Sequence, residues 1–365
     1  MFCDDFFDAT LNISLAALKQ NYQLLKNQAA PAECAATVKA NAYGLGIDEI
    51  APALYEAGCR NFYVATLGEA IHLRHLLPDV TIYVFHGVKP HETEAFLKFN
   101  LVPVINNFSQ VELWLEFSKA QNIRLPANLH FDTGINRLGL SADLAKDLGN
   151  HAELKQHIEL KFIMSHLACA NEHDNVRNQQ QLDKFKTICQ SFPGQKFSLA
   201  NSSAIFLDKE YHFDQVRPGA ALFGINPTPY LKTNPMQRVV NLSTKIIHLQ
   251  QVTEDGMVGY GNMCPVKSGM RLAVIPIGYA DGYLRSLTNR GYCYLNGKII
   301  PTLGKISMDM TVIDISSFNE AEVKIGDEVE IIGEHINLSD LAAQAGTIAY
   351  EILTSFSSRF KKIYS

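Results

Sequence analysis

The feature that most constrains the fold is a regular alternation of short apolar runs with longer segments whose apolar residues fall at helical spacing. Parallel strands need crossover connections, and helices are the usual ones, so eight strand–helix repeats predict a closed (β/α)8 barrel of the TIM type. The eight apolar runs are CAATVKA, NFYVATL, TIYVFHG, LVPVINN, RLPANLHFD, LKFIMSHL, KFSLANSS and VRPGAALFG.

Candidate helices lie between these runs. IDEIAPALYEAG has Asp48 at an N-cap position and Gly58 at its end, and DLAKDLGNHAELKQH follows Ser141. Beyond residue 237 the helices give way to short strands separated by turn signals such as EDG, NRG and NGK. We therefore expect a barrel domain over residues 1–237 and a β-rich domain over 238–365, the latter with a late helix capped by Ser339.

The net charge and the cysteine content limit which binding partners and which cellular compartment are expected. The formal net charge is 32 − 37 = −5, so there is no basic excess for binding nucleic acid or an anionic membrane. Asp4, Asp5 and Asp8 precede the first basic residue, Lys19, unlike the basic start of a signal peptide, and no apolar run has membrane-spanning length. Seven scattered cysteines without a C-x-x-C pair indicate neither a disulfide framework nor a zinc site. We expect a cytoplasmic protein with no metal site.

Lys39 is the first chemically informative residue, because it directly follows the first apolar run. A lysine at the C-terminal end of a barrel strand points into the barrel mouth, where partial desolvation lowers its pKa and makes the amine available for a Schiff base. Position alone leaves open a lysine that only snorkels at a strand end.

The motifs around Lys39 are more specific. VKANAYGLG, DTGINRLGL, SHLACAN, ANSSA, VRPGAALFG, IPIGYADGY, GKISMDM and AYEIL, in that order, closely resemble the bacterial alanine racemase family. The resemblance extends from Lys39 to Tyr350, nearly the whole chain. It implies a racemase dependent on pyridoxal 5′-phosphate (PLP), built as a barrel plus a β domain.

The resemblance implies that Lys39 carries PLP and that Tyr43 contacts its phosphate. Barrels often bind phosphate at the loops after strands seven and eight, where Ser202 and Gly219 fall. Gly219 suits a close approach of backbone to phosphate because it has no side chain. The residues implied to hold the cofactor are Lys39, Tyr43, His166, Asn201, Ser202, Arg217, Gly219, Ala220 and Tyr350.

Arg217 matches the family arginine that faces the ring nitrogen of PLP. A guanidinium has only donors and stays charged, so the nitrogen beside it must be an unprotonated acceptor. Such a ring is a weaker electron sink, which favours return of the proton to the substrate Cα over transamination.

Racemisation needs a base on each face of the substrate Cα, since one base that returns its own proton mostly regenerates the starting enantiomer. By resemblance Lys39 serves one face, and Tyr260 in DGMVGYGNM serves the other from the partner subunit of a head-to-tail homodimer. A phenol with a pKa of about 10 is a poor base at neutral pH. The resemblance places His166 and Arg217 where positive charge favours the phenolate.

The substrate residues are also implied by resemblance. Arg137 matches an arginine that holds the substrate carboxylate and the cofactor's phenolic oxygen, a task suited to a planar charged fork. Met308 adds a backbone N–H, and Tyr279 and Asp309 form the entrance wall. The expected enzyme is an isomerase, an alanine racemase, that interconverts L- and D-alanine and supplies D-alanine for peptidoglycan.

Three alternatives stay open at this stage. A broader racemase acting on serine is nearest in chemistry, but such enzymes are typically exported. A decarboxylase of the same architecture would place an acidic residue where Arg217 stands. A non-catalytic PLP carrier would lack residues 241–365 and with them Tyr260.

The sequence departs from the family pattern at three positions. His130 stands where some members have a carbamylated lysine that supports the equivalent of Arg137. Asn171 replaces an aspartate and Lys305 replaces an arginine, and in the family these two positions line the substrate corridor. We hypothesise that the last two changes are coupled and tune substrate entry or breadth without altering proton transfer.

This hypothesis predicts that Asn171→Asp combined with Lys305→Arg changes kcat/KM for alanine or for serine, because an acid is restored and its basic partner altered. Steady-state racemisation of both amino acids measures it. Unchanged values for both would end the hypothesis.

Overall fold

The computed structural model describes residues 7–365, so Cys3, Asp4 and Asp5 lie outside the described residues. The strands are β1 (Ala9–Ile13), β2 (Glu33–Cys34), β3 (Ala36–Thr37), β4 (Asn61–Val64), β5 (Thr81–Val84), β6 (Val102–Ile105), β7 (Leu125–His130), β8 (Ile158–Met164), β9 (Phe197–Ser198), β10 (Gln215–Val216), β11 (Val240–Lys245), β12 (His248–Gln251), β13 (Gly256–Val258), β14 (Cys264–Val266), β15 (Arg271–Ile275), β16 (Tyr292–Leu295), β17 (Lys298–Leu303), β18 (Thr311–Asp314), β19 (Glu328–Ile332) and β20 (Lys361–Tyr364).

The helices are α1 (Leu15–Ala29), α2 (Lys39–Tyr43), α3 (Ile47–Glu56), α4 (Leu67–Leu76), α5 (Thr93–Lys98), α6 (Phe108–Gln121), α7 (Ala145–Asn150), α8 (Ala152–His157), α9 (Val176–Cys189), α10 (Leu338–Ala345) and α11 (Ala349–Ser355). Among them α2 is a left-handed turn. Within residues 7–365, no helix is both long enough and apolar enough to cross a membrane.

The chain divides into two compact units. The first comprises residues 18–42 and 46–237, and the second comprises residues 7–17, 43–45 and 238–365. The N-terminal strand β1 therefore belongs with the C-terminal part of the chain, which the sequence did not predict.

The first unit is a ring of parallel strands. Strands β3 to β9 form one sheet in sequence order, and β10 pairs in parallel with β2, which continues into β3 after Ala35. Two backbone hydrogen bonds join the segments of β9 and β10, from Asp214 N–H to Phe197 O (3.0 Å) and from Arg217 N–H to Ala200 O (2.9 Å). Every predicted apolar run supplies one of these strands, and the predicted barrel is confirmed.

Aromatic side chains fill the interior of this ring. Tyr63 stacks on Tyr83 with ring centroids 4.4 Å apart and on Phe85 at 5.1 Å. The Tyr63 hydroxyl donates to Oε1 of Gln215 at 2.6 Å, so its buried polar atom has a partner. The barrel is thus packed below its mouth, and polar groups at the strand ends are left to bind ligands.

Two predicted N-caps are wrong. Helix α3 begins after Gly46, and Asp48 lies in its first turn. Helix α10 begins after Asn337, whose side chain accepts a hydrogen bond from Asp340 N–H at 2.9 Å, so Ser339 is inside the helix. Asn is as good a cap as Ser, and the sequence pattern alone did not separate the two positions.

The helix predicted over residues 143–157 is broken into α7 and α8. His151 has an extended backbone (φ −69°, ψ 107°), and its Nδ1 accepts a hydrogen bond from Leu154 N–H at 3.2 Å, which starts α8. Ser141 precedes a short 3₁₀ turn but makes no side-chain capping bond there.

The second unit is built on a nine-stranded sheet in the order β12-β15-β18-β17-β16-β19-β11-β1-β20. All of its pairings are antiparallel except that of β1 with β20, in which Leu11 lies opposite Lys362. Strands β13 and β14 form a separate hairpin. The mostly β character predicted for the C-terminal part is confirmed.

Asn21 joins helix α1 to the backbone of Leu222 and Gln237, in the segment that follows β10. Its side chain is fully buried, with Nδ2 donating to Leu222 O (3.2 Å) and Gln237 O (2.9 Å) and Oδ1 accepting from Gln237 N–H (2.7 Å). Both ends of the amide are therefore satisfied.

We predict that Asn21→Ala lowers the free energy of unfolding by about 2–4 kcal/mol, because it leaves buried backbone groups without partners. Urea denaturation measures the loss. Asn27→Ala, an exposed change on the same helix, is the control and should stay within about 0.5 kcal/mol of wild type. Equal losses in the two variants would contradict this role.

Candidate active site

Basic side chains converge at the mouth of the barrel. Lys39 follows β3, His130 ends β7, His166 follows β8 and Arg217 follows β10, and the loop after β7 carries Arg137. The charges of Arg217, Arg137 and Lys39 all act to lower the pKa of His166. Two of the cations lie near the stacked rings of the barrel interior. Lys39 Nζ is 5.8 Å from the centre of the Phe85 ring, and the Arg217 guanidinium carbon is 6.0 Å from the centre of the Tyr63 ring.

The Lys39 amine is easier to deprotonate than an ordinary lysine. Burial lowers its pKa, the positive charge of Arg137 lowers it further, and the carboxylate of Glu69 opposes them. A neutral amine is the form that attacks a carbonyl, so this environment suits nucleophilic chemistry.

Arg217 is a buried cation without an acidic partner. It is 4% exposed, and it donates through Nη1 to Ser198 Oγ and through Nη2 to Ser165 O at 2.6 Å. Burial lowers the pKa of its guanidinium to about 10. No carboxylate of residues 7–365 forms an ion pair with it. A buried charge of this kind is costly unless an acceptor or anion faces it, so the position is suited to a ligand.

His130 is held neutral in one tautomer. Asn106 donates through Nδ2 to Phe85 O (2.8 Å) and Val104 O (2.7 Å), which leaves its Oδ1 as the acceptor for His130 Nδ1 at 2.8 Å. His130 Nδ1 therefore carries the hydrogen, and Nε2 is the acceptor. Burial and the charge of Arg217 lower the pKa of His130 to about 4.

His166 shares this environment. Burial first, and then the charge of Arg217, hold its pKa well below the ordinary value. Both histidines are therefore neutral at pH 7, and the positive charge of the mouth comes from arginine and lysine.

Arg137 is presented by a loop that Asp132 organises. The Asp132 carboxylate accepts from the N–H groups of Gly134, Ile135 and Asn136, each at 2.9 Å. Burial acts to raise the pKa of Asp132, but these three bonds outweigh it and hold the pKa below its usual value. The Arg137 side chain is exposed at the loop's end, free to meet a ligand.

Ser202 organises the loop after β10. Its buried Oγ accepts from Gly219 N–H (3.0 Å) and Ala221 N–H (3.2 Å), which folds the loop back on the end of β9. A 3₁₀ turn begins at Ala220, and the first N–H groups of such a turn lack intrahelical acceptors. Asn201, alongside, accepts from Ala204 N–H at 3.1 Å. The Ser202 hydroxyl hydrogen and the Ala220 N–H, which these bonds do not use, suit an anion such as phosphate.

In the second unit, Tyr43 and Tyr350 lie side by side with ring centroids 6.2 Å apart. Tyr43 is buried, whereas Tyr350 is partly exposed. Burial raises the pKa of both phenols, so both remain neutral donors at pH 7.

Tyr260 lies at the tip of the β13–β14 hairpin and is 72% exposed. Gly259 and Gly261 on either side have φ of +77°, a conformation that glycine adopts at little cost. Lys305 lies against this tip, since a Cβ added at Gly261 would come within 2.9 Å of its Nζ. Lys305, one of the three departures from the family pattern, is thus beside Tyr260, the predicted second base.

The loop of Met308 is fixed by the segment of Tyr279. Tyr279 N–H donates to Ser307 O (3.1 Å), and Ala280 N–H donates to Met308 O (3.0 Å). A Cβ at Gly278 would lie 2.4 Å from Met308 O, so only glycine permits this contact. The IGYADG and ISMDM motifs therefore form one structural element.

Arg359 is a residue that the sequence reasoning missed. Its Nη1 donates to Asp309 Oδ1 at 2.8 Å, and its Nε lies 3.1 Å from Asp281 Oδ1. Asp281 in turn accepts from Gly278 N–H at 2.8 Å. Arg359 thereby braces the Asp309 side chain, and its distance along the chain from Asp309 gave no local signal.

The described residues fit an anionic, carbonyl-bearing cofactor such as PLP. Lys39 offers an amine of lowered pKa, Ser202 and the 220 turn offer a phosphate cradle, and Arg217 offers a buried donor without an anionic partner. Arg137 remains for a second anionic group, such as a substrate carboxylate.

Family models match both parts of the chain. The model for the alanine racemase N-terminal domain matches residues 13–227, and the model for the alanine racemase C-terminal domain matches residues 239–364.

Relatives extend over almost the entire chain. An alanine racemase of Rickettsia canadensis (strain McKiel) is 44% identical over 357 residues, which cover 98% of this chain and 99% of the relative. The crystal structure of an alanine racemase from Bartonella henselae with covalently bound pyridoxal phosphate has a TM-score of 0.94 at 38% identity, covering 98% of this chain and 99% of that one. The biosynthetic alanine racemase of Pseudomonas aeruginosa has a TM-score of 0.92 at 30% identity, with coverages of 99% and 100%.

The neutral state of His130 predicts a pH dependence of stability. Its pKa is about 4 in the folded chain and about 6.5 when unfolded, so between these values the unfolded state binds the extra proton. The stability that depends on neutral His130 is fully present above about pH 6.5 and is lost as the pH falls toward 4. His130→Gln should reduce the slope by up to about 1.4 kcal/mol per pH unit between about pH 6 and 4.5.

Urea denaturation at several pH values measures this slope. The exposed His248→Gln is the control and should leave it unchanged. Identical slopes for wild type and His130→Gln would show that His130 is not held neutral.

Proposed function

The chain belongs to the alanine racemase family, and from this premise we propose roles for its residues. The protein is a PLP-dependent isomerase that interconverts L- and D-alanine. We assign cofactor binding, apart from the contact of Tyr350, to a domain over residues 1–237 and the second base to a domain over 238–365. The observation that carries the proposal is the convergence on one barrel mouth of an amine with a lowered pKa and a buried arginine without an acidic partner.

PLP, when bound, supplies the electron sink that makes the α-hydrogen of an attached amino acid acidic. We propose that Lys39 holds it covalently and that Ser202, Gly219 and Ala220 bind its phosphate through hydroxyl and backbone donors. The remaining cofactor contacts in this proposal come from Asn201, His166, Arg217, Tyr43 and Tyr350. The bonds from the Gly219 and Ala221 N–H groups to Ser202 Oγ support the phosphate assignment because they hold the Ser202 hydroxyl beside the turn that begins at Ala220.

Arg217 sets the character of the reaction in this proposal. It can only donate, so it would leave a ring nitrogen placed beside it unprotonated. The burial of its guanidinium and its bonds to Ser198 and Ser165 support a fixed position. The proton is consequently returned to the substrate Cα, and the decarboxylase alternative loses its chemical basis.

Lys39 and Tyr260 are the proposed bases on opposite faces of the substrate Cα. Each removes the α-proton of the enantiomer whose hydrogen lies on its own face, and the base on the opposite face supplies the proton that forms the other enantiomer. Arg137 and the Met308 N–H hold the substrate carboxylate, and Tyr279 and Asp309 form the entrance. The loop geometry imposed by Asp132 on Arg137 supports this division of roles.

The exposure of Tyr260 supports a homodimer. This ring is 72% exposed at the hairpin tip, flanked by Met257 and Met263, which are 48% and 57% exposed. We propose that this tip enters the barrel mouth of a second copy in a head-to-tail dimer and supplies its second base. We also propose that the enzyme is cytoplasmic and that its D-alanine is used for peptidoglycan.

Tyr260→Phe tests the second base. We expect removal of the α-proton to slow by about 10²–10⁴-fold for one enantiomer and far less for the other, with PLP binding unchanged, because one face loses its base. Incubation of each enantiomer in deuterated water, followed by chiral chromatography and mass analysis of Cα, measures both steps. Tyr292→Phe, on β16 of the same unit, is the control. Equal loss for both enantiomers would refute the role.

Mixing two inactive variants tests the shared site. If Lys39 and Tyr260 of one site come from different chains, exchange between Lys39→Ala and Tyr260→Phe subunits restores about a quarter of wild-type activity, through the one intact site of each mixed dimer. No recovery after demonstrated subunit exchange would place both bases in the same chain.

A further inference from the structure

The backbone directly after Lys39 is left-handed over consecutive residues. Ala40, Asn41 and Ala42 have φ of 54°, 53° and 52° with ψ close to 50°, and Tyr43 has φ of 56°. For residues with a Cβ this conformation costs roughly 1–2 kcal/mol each. Contacts around the turn must therefore hold it in place.

Glu69 supplies a contact at the start of the turn. Its Oε1 accepts from Ala40 N–H at 2.7 Å, and its Oε2 accepts from Ala65 N–H at 2.8 Å and from Thr66 N–H at 3.1 Å. Both carboxylate oxygens are engaged. The side chain thus joins the end of β4 and the start of α4 to the residue next to Lys39.

Asn41 secures the end of the turn. Its backbone carbonyl accepts from Gly46 N–H at 3.0 Å, and its Oδ1 accepts from Ile47 N–H at 2.8 Å. These bonds lie beyond the lysine, whereas the Glu69 bond to Ala40 fixes the peptide plane that leaves the Lys39 Cα. On the other side of the lysine, the Ala42 N–H donates to Val38 O at 2.9 Å and holds the peptide that enters the Lys39 Cα. Glu69 is therefore the side chain that fixes the peptide plane leaving the Lys39 Cα.

We propose that Glu69 is a positioning residue for Lys39, whose carboxylate fixes the left-handed turn so that the lysine amine points into the barrel mouth. The proposal rests on the proposed role of Lys39 as the residue that carries PLP. Glu69 itself touches neither substrate nor cofactor in this role. It acts through the Ala40 amide and through its negative charge.

The charge of Glu69 has an effect separate from its hydrogen bonds. The groups that act on the Lys39 ammonium or share its surroundings are Arg137 from the loop after β7, His166 after β8, and Glu69 from α4. Among these Glu69 is the one acid, and it opposes the lowering of the Lys39 pKa by burial and by Arg137. Removing its charge lowers that pKa further.

Glu69 also belongs to the N-terminal cap of α4. A test must separate this contribution to helix stability from the positioning of Lys39. Thr66 Oγ1 accepts from Glu69 N–H at 3.3 Å, and Glu69 accepts from Thr66 N–H in return. Thr66→Ala removes the threonine half of this capping box and leaves the Glu69 bond to Ala40. It is therefore the matched control for lost helix stability.

The experiment follows covalent attachment of PLP to Lys39 in the full-length protein stripped of cofactor. The attachment rate is measured from about pH 6 to 10 by borohydride trapping and mass spectrometry of the Lys39 peptide. For Glu69→Gln we expect a plateau rate at high pH about tenfold below wild type. Both carboxylate oxygens now accept from backbone N–H groups, and the NH2 group of glutamine would instead point one donor at another. The midpoint of the pH profile should also shift to lower pH.

The controls assign each effect. Thr66→Ala should lower the melting temperature without changing the plateau or the midpoint. Glu49→Gln, the same charge change at an exposed position in the first turn of α3, should change neither. Glu69→Asp keeps the charge but is one carbon shorter, so we expect a slower plateau with the midpoint unmoved.

The proposal would be overturned if Glu69→Gln attached PLP with a plateau rate within twofold of wild type and an unmoved pH midpoint. It would also be overturned if Thr66→Ala lowered the plateau rate as much as Glu69→Gln does. If Glu69→Gln does not fold, Glu69→Asp decides, and a wild-type plateau overturns the proposal. If wild type itself does not attach PLP at Lys39, the proposed function fails instead. Hydrogen exchange at the Ala40 amide, expected to be faster in Glu69→Asp than in Thr66→Ala, then still tests the contact.

Discussion

The pairing of the last barrel strand with the first is the constraint on which the site depends. Backbone bonds from Ala35 N–H to Val216 O (3.0 Å) and from Thr37 N–H to Pro218 O (2.8 Å) continue the short β2–β10 ladder toward the mouth. They bring Arg217 and the Gly219 loop beside the strand that ends at Lys39, although these residues are far apart in sequence. Without this closure, the amine and the buried guanidinium would lie on separate edges of an open sheet.

Electrostatics at the mouth follow from that closure. Cations crowd together there, and the two histidines respond by remaining neutral, while Arg217 stays charged because guanidinium loses its proton with difficulty. His130 is the informative case, because Asn106 fixes its tautomer and leaves Nε2 as an acceptor. A neutral acceptor at this position adds no negative charge to the barrel mouth.

The sequence predicted the parts of the molecule that depend on local pattern. Eight apolar runs gave eight barrel strands, because buried parallel strands are short and continuously apolar. It did not predict β1 in the second sheet, since the partners of β1 lie at the other end of the chain. Arg359 and Asn106 were missed because their roles depend on tertiary neighbours. Glu69 had a local signal, the T-x-x-E spacing of a capping box, but that signal reports a helix start and not a contact with Ala40.

The position of β1 between β11 and β20 has a consequence for synthesis. A chain made at roughly 5–20 residues per second leaves β1 without β11 for on the order of tens of seconds, while the whole barrel sequence is produced. Its sheet is completed only when β20 is available, because Leu11 pairs with Lys362 and Leu15 N–H bonds to Ser365 O at 2.6 Å. The whole barrel sequence is therefore synthesised before β1 can find its partners, and during that interval the two unpaired edges of β1 are open to other nascent chains.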